Sequence, residues 1–364
     1  MPTIETLTID HFRIPVDPPM QAAAAGVISA FELVTARITD SEGATGVGFT
    51  VMQDGQGSGA AITAERPFRK FLMGQDADRI EWLWQRMYRG HHYAGRGGPV
   101  SFALAAVDVA LWDLKARRLD QPLWKLLGGH DQSVRCYAGN IDLNYDLDRL
   151  LKSATSDVET GFRSVKMRLG RPTLAEDMDR VAAMRAHLPA EIELMADANE
   201  AWRVDQAARA MAMLQEHDLV WLEEPIVPDN LEGYSYLRGL GRVPIAAGEN
   251  MHTLSEFTQL IMAKGADFIE PDLTTLGGIT PWMKVAHLAE AHGLPVTSHG
   301  SHDLHVHVMA AVSNATYLEW FAFDLSPYMA DPLRVKDGFA QAPDRAGHGI
   351  TLDWDKLAQH RIGP

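Results

Sequence analysis

A single cysteine, Cys136, in a chain of 364 residues excludes an intramolecular disulfide and any zinc or iron–sulfur site built from cysteines. Such sparing use fits a reducing, cytoplasmic setting. Basic residues are also outnumbered: 33 Lys and Arg face 48 Asp and Glu, no block of clustered cations interrupts the balance, and the formal charge is −15. No electrostatic nucleic-acid footprint is expected from that composition. A small anionic ligand must then be drawn in by a local cation. Long apolar runs are missing too; nothing approaches the roughly 18 residues that would suggest a membrane helix. The opening Met1-Pro2-Thr3-Ile4-Glu5-Thr6 has neither a basic start nor an apolar core, so neither export nor membrane insertion is expected.

What the chain does have is apolar mass, 46% of its residues, enough to bury one large domain plus a smaller one. Residues 1 to about 50 alternate apolar and polar positions, as in Phe31-Glu32-Leu33-Val34-Thr35-Ala36-Arg37-Ile38 before the turn-like Asp40-Ser41-Glu42-Gly43, and read as antiparallel strands. A helix follows from about Ser101 to Arg118, with Leu104, Val107, Leu111 and Leu114 on one face. Leu126-Leu127-Gly128-Gly129 then stops a helix and marks a boundary. Beyond about Val134, short apolar strands alternate with helices. Thr173-Leu174-Ala175-Glu176 and Thr253-Leu254-Ser255-Glu256 have the form of capping boxes, and Thr280-Pro281 offers a cap with a first-turn proline.

Candidate strands end near Arg168, Asp197, Glu223, Glu249, Asp272, His299 and Glu319, between 20 and 29 residues apart. That cadence of repeated β/α units favours a closed barrel over its rival, an open doubly wound sheet. In a barrel these strand ends converge on one mouth. Any one carboxylate there could be a helix cap or a solvated loop residue. Three on consecutive strand ends, in Met195-Ala196-Asp197, Trp221-Leu222-Glu223 and Ala246-Ala247-Gly248-Glu249, would repel one another without a cation, and an all-oxygen set suits magnesium.

Several segments together resemble the mandelate racemase group of the enolase superfamily over nearly the whole chain. They are Ala110-Leu111-Trp112-Asp113-Leu114-Lys115-Ala116, Leu126-Leu127-Gly128-Gly129, Asp197-Ala198-Asn199, Trp221-Leu222-Glu223-Glu224-Pro225, Gly248-Glu249-Asn250, Pro271-Asp272 with Gly277-Gly278, Ser298-His299 and Leu318-Glu319. The resemblance implies an α/β architecture: a modified TIM barrel, (β/α)7β, over 126–325. An α+β capping domain over 1–125 would be completed by the returning segment 326–364. It also implies one magnesium ion per subunit on Asp197, Glu223 and Glu249, with Asn199, Glu224 and Asn250 as supporting groups, and a homo-oligomer.

The acid–base groups carry over unevenly. Lys166 and Arg168 lie two apart on a strand, so both point into the barrel while Val165 and Met167 face the helices. Relatives carry Lys-x-Lys here, the second lysine being the base on one face of the substrate. Arg168 stands in its place, and a guanidinium stays protonated, so it is expected to be a fixed donor. Opposite, Asp272 and His299 match the group's carboxylate–imidazole pair, in which the carboxylate sets the tautomer and raises the basicity. Glu319 matches the position that donates from its acid form to the developing enediolate. His302, His305 and His307 are read as structural, since no zinc pattern supports them.

Gly55-Gln56-Gly57-Ser58-Gly59 lacks the lysine of a phosphate loop and is expected to be a mobile lid, closing with the segment around 16–30. Tyr93 and Arg96, in His91-His92-Tyr93-Ala94-Gly95-Arg96, are expected to add polar contacts to a hydroxy acid. The resemblance implies α-proton abstraction to an enediolate. With Arg168 replacing the second base, β-elimination of water by an acid-sugar dehydratase, similar to the talarate/galactarate type, is the expected outcome. The alternatives are an epimerase, racemase or cycloisomerase on a related acid sugar, and a barrel that binds an acid without turnover.

Overall fold

The structure, a computed structural model, describes residues 1–363. The alternating amino-terminal residues form β1 (Ile4–Ala22), β2 (Gly26–Asp40) and β3 (Thr45–Gln53), paired antiparallel in that order. Both faces of β2 are covered. Val34, Ala36 and Ile38 enter the core beneath the capping helices, while Phe31 and Leu33 enter the core shared with the barrel. Strand periodicity is what sends alternate residues to the two cores.

The longer helices of the cap are α1 (Gly57–Thr63), α2 (Ile80–His91) and α3 (Pro99–Arg118). The four leucine and valine positions expected on one face of α3 are buried, but so are Val100, Ala103, Ala106, Val109 and Ala110. A helix covered on all sides no longer needs an apolar stripe. Its backbone lies against β3, where a Cβ on Gly46 or Gly48 would come within 2.2 Å of the Ala110 or Ala106 carbonyl oxygen. Only glycine permits that approach.

The barrel is built from parallel strands: β4 (Ser133–Gly139), β5 (Ser164–Arg168), β6 (Glu193–Asp197), β7 (Leu219–Glu223), β8 (Ile245–Ala247) and β9 (Phe268–Ile269). Single bridges through Val296 lead on to β10 (Leu318–Phe321), which pairs with β4 and closes the ring. That closure excludes the open sheet. Helices α4 (Leu147–Thr160), α5 (Leu174–His187), α6 (Val204–Leu214), α7 (Leu231–Gly239), α8 (Leu254–Met262), α9 (Ile279–Ala291) and α10 (His302–Met309) separate successive strands. The carboxyl-terminal segment first adds β12 (Phe339–Gln341) antiparallel to β4, with β11 (Val335–Lys336) antiparallel to β12 at the sheet edge. Only then does β13 (Arg361–Gly363) join β1 in the capping sheet. Among the described residues no helix is long and apolar enough to cross a membrane.

Thr173 and Thr253 cap α5 and α8, each hydroxyl accepting the N–H three residues on at 3.3 Å. The Thr280-Pro281 cap needs correction. Helix α9 already begins at Ile279, and Thr280 donates its N–H and its hydroxyl to Asp108 of α3 at 2.8 and 2.6 Å. The cap is therefore supplied across the domain boundary. Trp112 adds to it, its indole N–H reaching the Thr280 hydroxyl at 2.9 Å.

Asp113 does similar work on the other side of α3. Its buried carboxylate accepts the N–H of Val47 and of His348, both at 2.9 Å, and Arg117 at 2.7 Å. It thus ties β3 and the returning segment to one helix. Replacing Asp113 with Ala would strand two backbone donors, that of His348 buried and that of Val47 half-buried, and a loss of about 3 kcal/mol is expected. Urea unfolding should show it as a lower midpoint at unchanged slope; a change within about 0.5 kcal/mol would contradict this role.

Candidate active site

The barrel mouth is organised around β5. Lys166 and Arg168 point inward, as the alternation requires, and Val165 and Met167 lie in the hydrophobic layer. Lys166 is fully buried. Its Nζ contacts Glu223 closely, lies 2.8 Å from Glu319 Oε1 and 3.5 Å from Asp197 Oδ2. Burial alone would lower its pKa, but the three carboxylates raise it well above the ordinary lysine value and hold it protonated. Arg168 contacts Asp197 closely through Nη1 and donates through Nε to the Asn140 carbonyl at 3.1 Å.

Asp197 and Glu223 end β6 and β7, and Glu249 follows β8 after Gly248. Gly248, at φ +142°, turns where a Cβ would meet Phe257 at 2.7 Å and the Glu270 carbonyl at 2.9 Å. One carboxylate oxygen from each of the three acids lies within 4.8 Å of the others, and all three residues are buried. Despite burial, Arg168 and Lys166 hold Asp197 down at about 2. Burial and the adjacent Asp197 push Glu223 well above the ordinary range. Glu249 Oε2 is buried without a hydrogen-bond partner. Crowded carboxylates, one with an orphaned oxygen, form a donor set that fits a small divalent cation.

Across the mouth, His299 Nδ1 lies 2.9 Å from Asp272 Oδ2, while Asp272 Oδ1 accepts the N–H and hydroxyl of Thr274 at 2.6 and 2.8 Å. The carboxylate is thus fixed before it orients the ring. His299 Nε2 faces Glu249 at 3.3 Å, and 15% of the side chain stays open to the cavity. Burial lowers its pKa, but Glu249, Glu319 and Asp272 outweigh that and bring it to about 10.

Glu319 departs from the expected acid form. Its Oε2 accepts the Gly300 N–H at 2.7 Å, and Lys166, His299 and Arg168 overcome burial to hold it below the ordinary glutamate value. In this arrangement its Oε1 faces the Lys166 ammonium at 2.8 Å as an acceptor. Of the supporting groups, Glu224 sits one layer back, while Asn199 and Asn250 reach the cavity between mouth and cap. Asn250 donates to Glu224 at 2.7 Å and to Glu200 at 3.0 Å. Asn199 accepts the Ala24 N–H at 2.8 Å, latching the β1–β2 tip of the cap onto the barrel. Asn199, Glu224 and Ser301 hold positive φ, at 44°, 32° and 32°, so backbone strain gathers at this mouth.

A cavity of about 210 Å3 lies between mouth and cap, reached by Arg168, Glu249, Asp272 and His299. The structure does not bring Tyr93 and Arg96 to it. Tyr93 is fully exposed, and Arg96 opens onto a neighbouring cleft, because His252 packs against Gly97 and Gly98 and stands between that segment and the cavity. The free-lid expectation is corrected as well. Residues 16–30 are mostly strand, and Gly57 opens α1, where a Cβ would meet His11 Nε2 at 2.5 Å. Buried Glu32 accepts the N–H of Gly55 at 3.0 Å and of Gly57 at 2.5 Å, so the glycine segment is pinned.

His305 accepts the Leu273 N–H at 2.9 Å, and His307 contacts the His348 carbonyl at 2.9 Å, both as buried structural groups on α10. Sequence reasoning passed over Gln53, Phe102 and His252, which line the cavity; no periodicity marks them. It also passed over Glu270 on the barrel floor, whose Oε1 lies 3.5 Å from the Tyr137 hydroxyl. Its place just ahead of Pro271-Asp272 is a readable strand-end signal.

A closed barrel under an α+β cap, with three acidic strand ends facing a histidine–aspartate pair, defines a cation-dependent acid–base site. Residues 4–128 match the family described as "Mandelate racemase / muconate lactonizing enzyme, N-terminal domain", and residues 149–356 match "Enolase C-terminal domain-like". The chain belongs to the enolase superfamily, in its mandelate racemase/muconate lactonizing enzyme group, and is an enzyme of that superfamily.

It is 46% identical over 360 residues to a 3,6-anhydro-alpha-L-galactonate cycloisomerase of Streptomyces coelicolor, covering 99% of this chain and 100% of the relative. It is 35% identical over 322 residues to an L-talarate/galactarate dehydratase of Salmonella typhimurium, covering 88% and 80%. A crystal structure of a racemase from Streptomyces coelicolor with bound magnesium superposes with a TM-score of 0.96 at 46% identity, covering 99% of this chain and 100% of that one. An L-talarate dehydratase from a Polaromonas species, complexed with Mg and L-glucarate, gives 0.94 at 33% identity over 100% of both chains.

Proposed function

We propose that this enzyme removes the α-proton of an acid sugar and expels the β-oxygen, acting as a dehydratase that yields a 2-keto-3-deoxy acid. The observation that carries the reading is the asymmetry of the site. On one face His299 is oriented by Asp272 and open to the cavity; on the other, Lys166 is locked among carboxylates and Arg168 is a permanent cation. A site with one competent proton-transfer group suits elimination better than epimerisation, which needs an acid or base on each face.

Asp197, Glu223 and Glu249 would hold one magnesium ion, which when bound stabilises enediolate charge. Engaging Glu249 in that way would also relieve its pull on the His299 proton, bringing the imidazole nearer neutrality. Asp272 accepts from Nδ1, which leaves Nε2 to take the α-proton. The bond to the β-oxygen then breaks, the imidazolium protonates the departing hydroxyl, water leaves, and the resulting enol tautomerises to the keto acid. Arg168 would hold the substrate carboxylate, and Lys166 the developing negative charge.

A second reading, the cycloisomerase, is favoured by the 46% identical relative. When the β-oxygen belongs to an ether ring, the same two bond changes open the ring and release no water. Aldonic, aldaric and anhydro-aldonic acids incubated with the magnesium-loaded enzyme separate the cases. Keto-acid formation with loss of water supports the dehydratase, and keto-acid formation without change of mass the cycloisomerase. Inverted configuration without keto acid would refute both.

A further inference from the structure

The cavity is charged at its floor and nearly uncharged elsewhere. Its roof comes from the cap: Ala22, Ala25 and Ile28 at the β1–β2 tip, Gln53 at the end of β3 with Gln56 beyond it, and Phe102 on α3. One wall comes from Phe321, Phe323 and Leu325. Arg168 is the one Lys or Arg among the described lining residues, and it is already engaged with Asp197 at the mouth. Two lining histidines away from the mouth each take a backbone N–H on Nδ1, which requires that nitrogen to carry no proton. His252 takes the Gly98 N–H on Nδ1 at 3.2 Å, and burial lowers its pKa. His302 accepts the Phe321 N–H at 3.3 Å, stacks on Trp320 at 4.2 Å and turns Nε2 toward Asp303, 3.5 Å away. The ionisable group left near that wall, Asp303, is itself a carboxyl.

An acid sugar held by its reacting carboxylate at Arg168 must lay its far end against this roof and wall. A second carboxylate there would lose water and meet no cation, which is costly. Hydroxyls could bond to the two glutamines, and a ring or methyl face could cover Ile28, Phe102 and Phe323. We infer that the substrate is an acid sugar with a single carboxylate and a compact, partly apolar far end, and that the matching dicarboxylates are disfavoured. The inference rests on the acid-sugar reading and narrows it.

The test is equilibrium binding, which does not depend on turnover. The magnesium-loaded His299→Asn protein is titrated by calorimetry with pairs of aldonates and aldarates of five and six carbons, matched in configuration. In each pair that binds, the aldonate should bind at least tenfold more tightly. Gln56 is exposed at the roof, so Gln56→Lys supplies a cation without disturbing the core and should improve aldarate binding at least fivefold relative to the aldonate. Equal or tighter aldarate binding by the unaltered roof overturns the inference while leaving the elimination chemistry standing. An unchanged ratio in the Gln56→Lys protein overturns the roof as its origin. Failure of every acid sugar to bind overturns both readings.

Discussion

Glu249→Gln is expected to lower turnover by at least about 10^3-fold, equivalent to roughly 4 kcal/mol of transition-state stabilisation. Glu249 Oε2 is buried with no hydrogen-bond partner and faces His299 Nε2 at 3.3 Å, so losing its charge should weaken the cation site more than the fold. Chelation should abolish activity in the parent enzyme, and magnesium should restore it. Magnesium should also raise the unfolding temperature of the parent but not of the Glu249→Gln protein, since binding at about 100 times Kd adds about 2.7 kcal/mol of stability. Full turnover by metal-free protein would defeat the assignment of Asp197, Glu223 and Glu249.

The second large effect concerns the proton. His299→Asn should cost about 10^3- to 10^4-fold in turnover and should also stop exchange of the substrate α-proton with deuterated solvent. The structure supports this by placing Lys166 0% exposed with its Nζ 2.8 Å from Glu319 Oε1, a carboxylate that stays with it when Asp197 and Glu223 turn to the cation. Such an ammonium stabilises charge but does not readily accept a proton. Lys166→Ala is therefore expected to weaken binding and slow turnover while measurable exchange survives. If His299→Asn instead blocks keto-acid formation but leaves exchange intact, His299 is only the acid that expels the β-oxygen, and the base moves to Lys166.

Much of this site could be read without coordinates, because a strand's two-residue period settles which side chains face the barrel. Lys166 and Arg168 point inward for that reason, and Asp197 and Glu223 arrive together because parallel strands present their carboxyl ends to one mouth. The repeating β/α cadence likewise carries the closed ring, and Thr173 and Thr253 announce two of its helices locally. These are short-range properties, set by residues within a few positions of one another.

What depends on distant segments meeting was decided only by the tertiary structure. Asp108 capping Thr280 spans 172 positions, and Asp113 holding His348 spans 235; neither contact leaves a periodic trace. Tyr93 and Arg96 are polar and close in sequence to α3, yet His252 takes the place at the cavity that they could have filled. Glu319 has the identity of a proton donor, but the ammonium of Lys166 stands 2.8 Å from its Oε1, a neighbour that no local pattern announces. A side chain's identity sets what it can donate or accept, whereas its protonation and partners follow from the charges and desolvation shared with neighbours, which exist only once the chain has closed on itself.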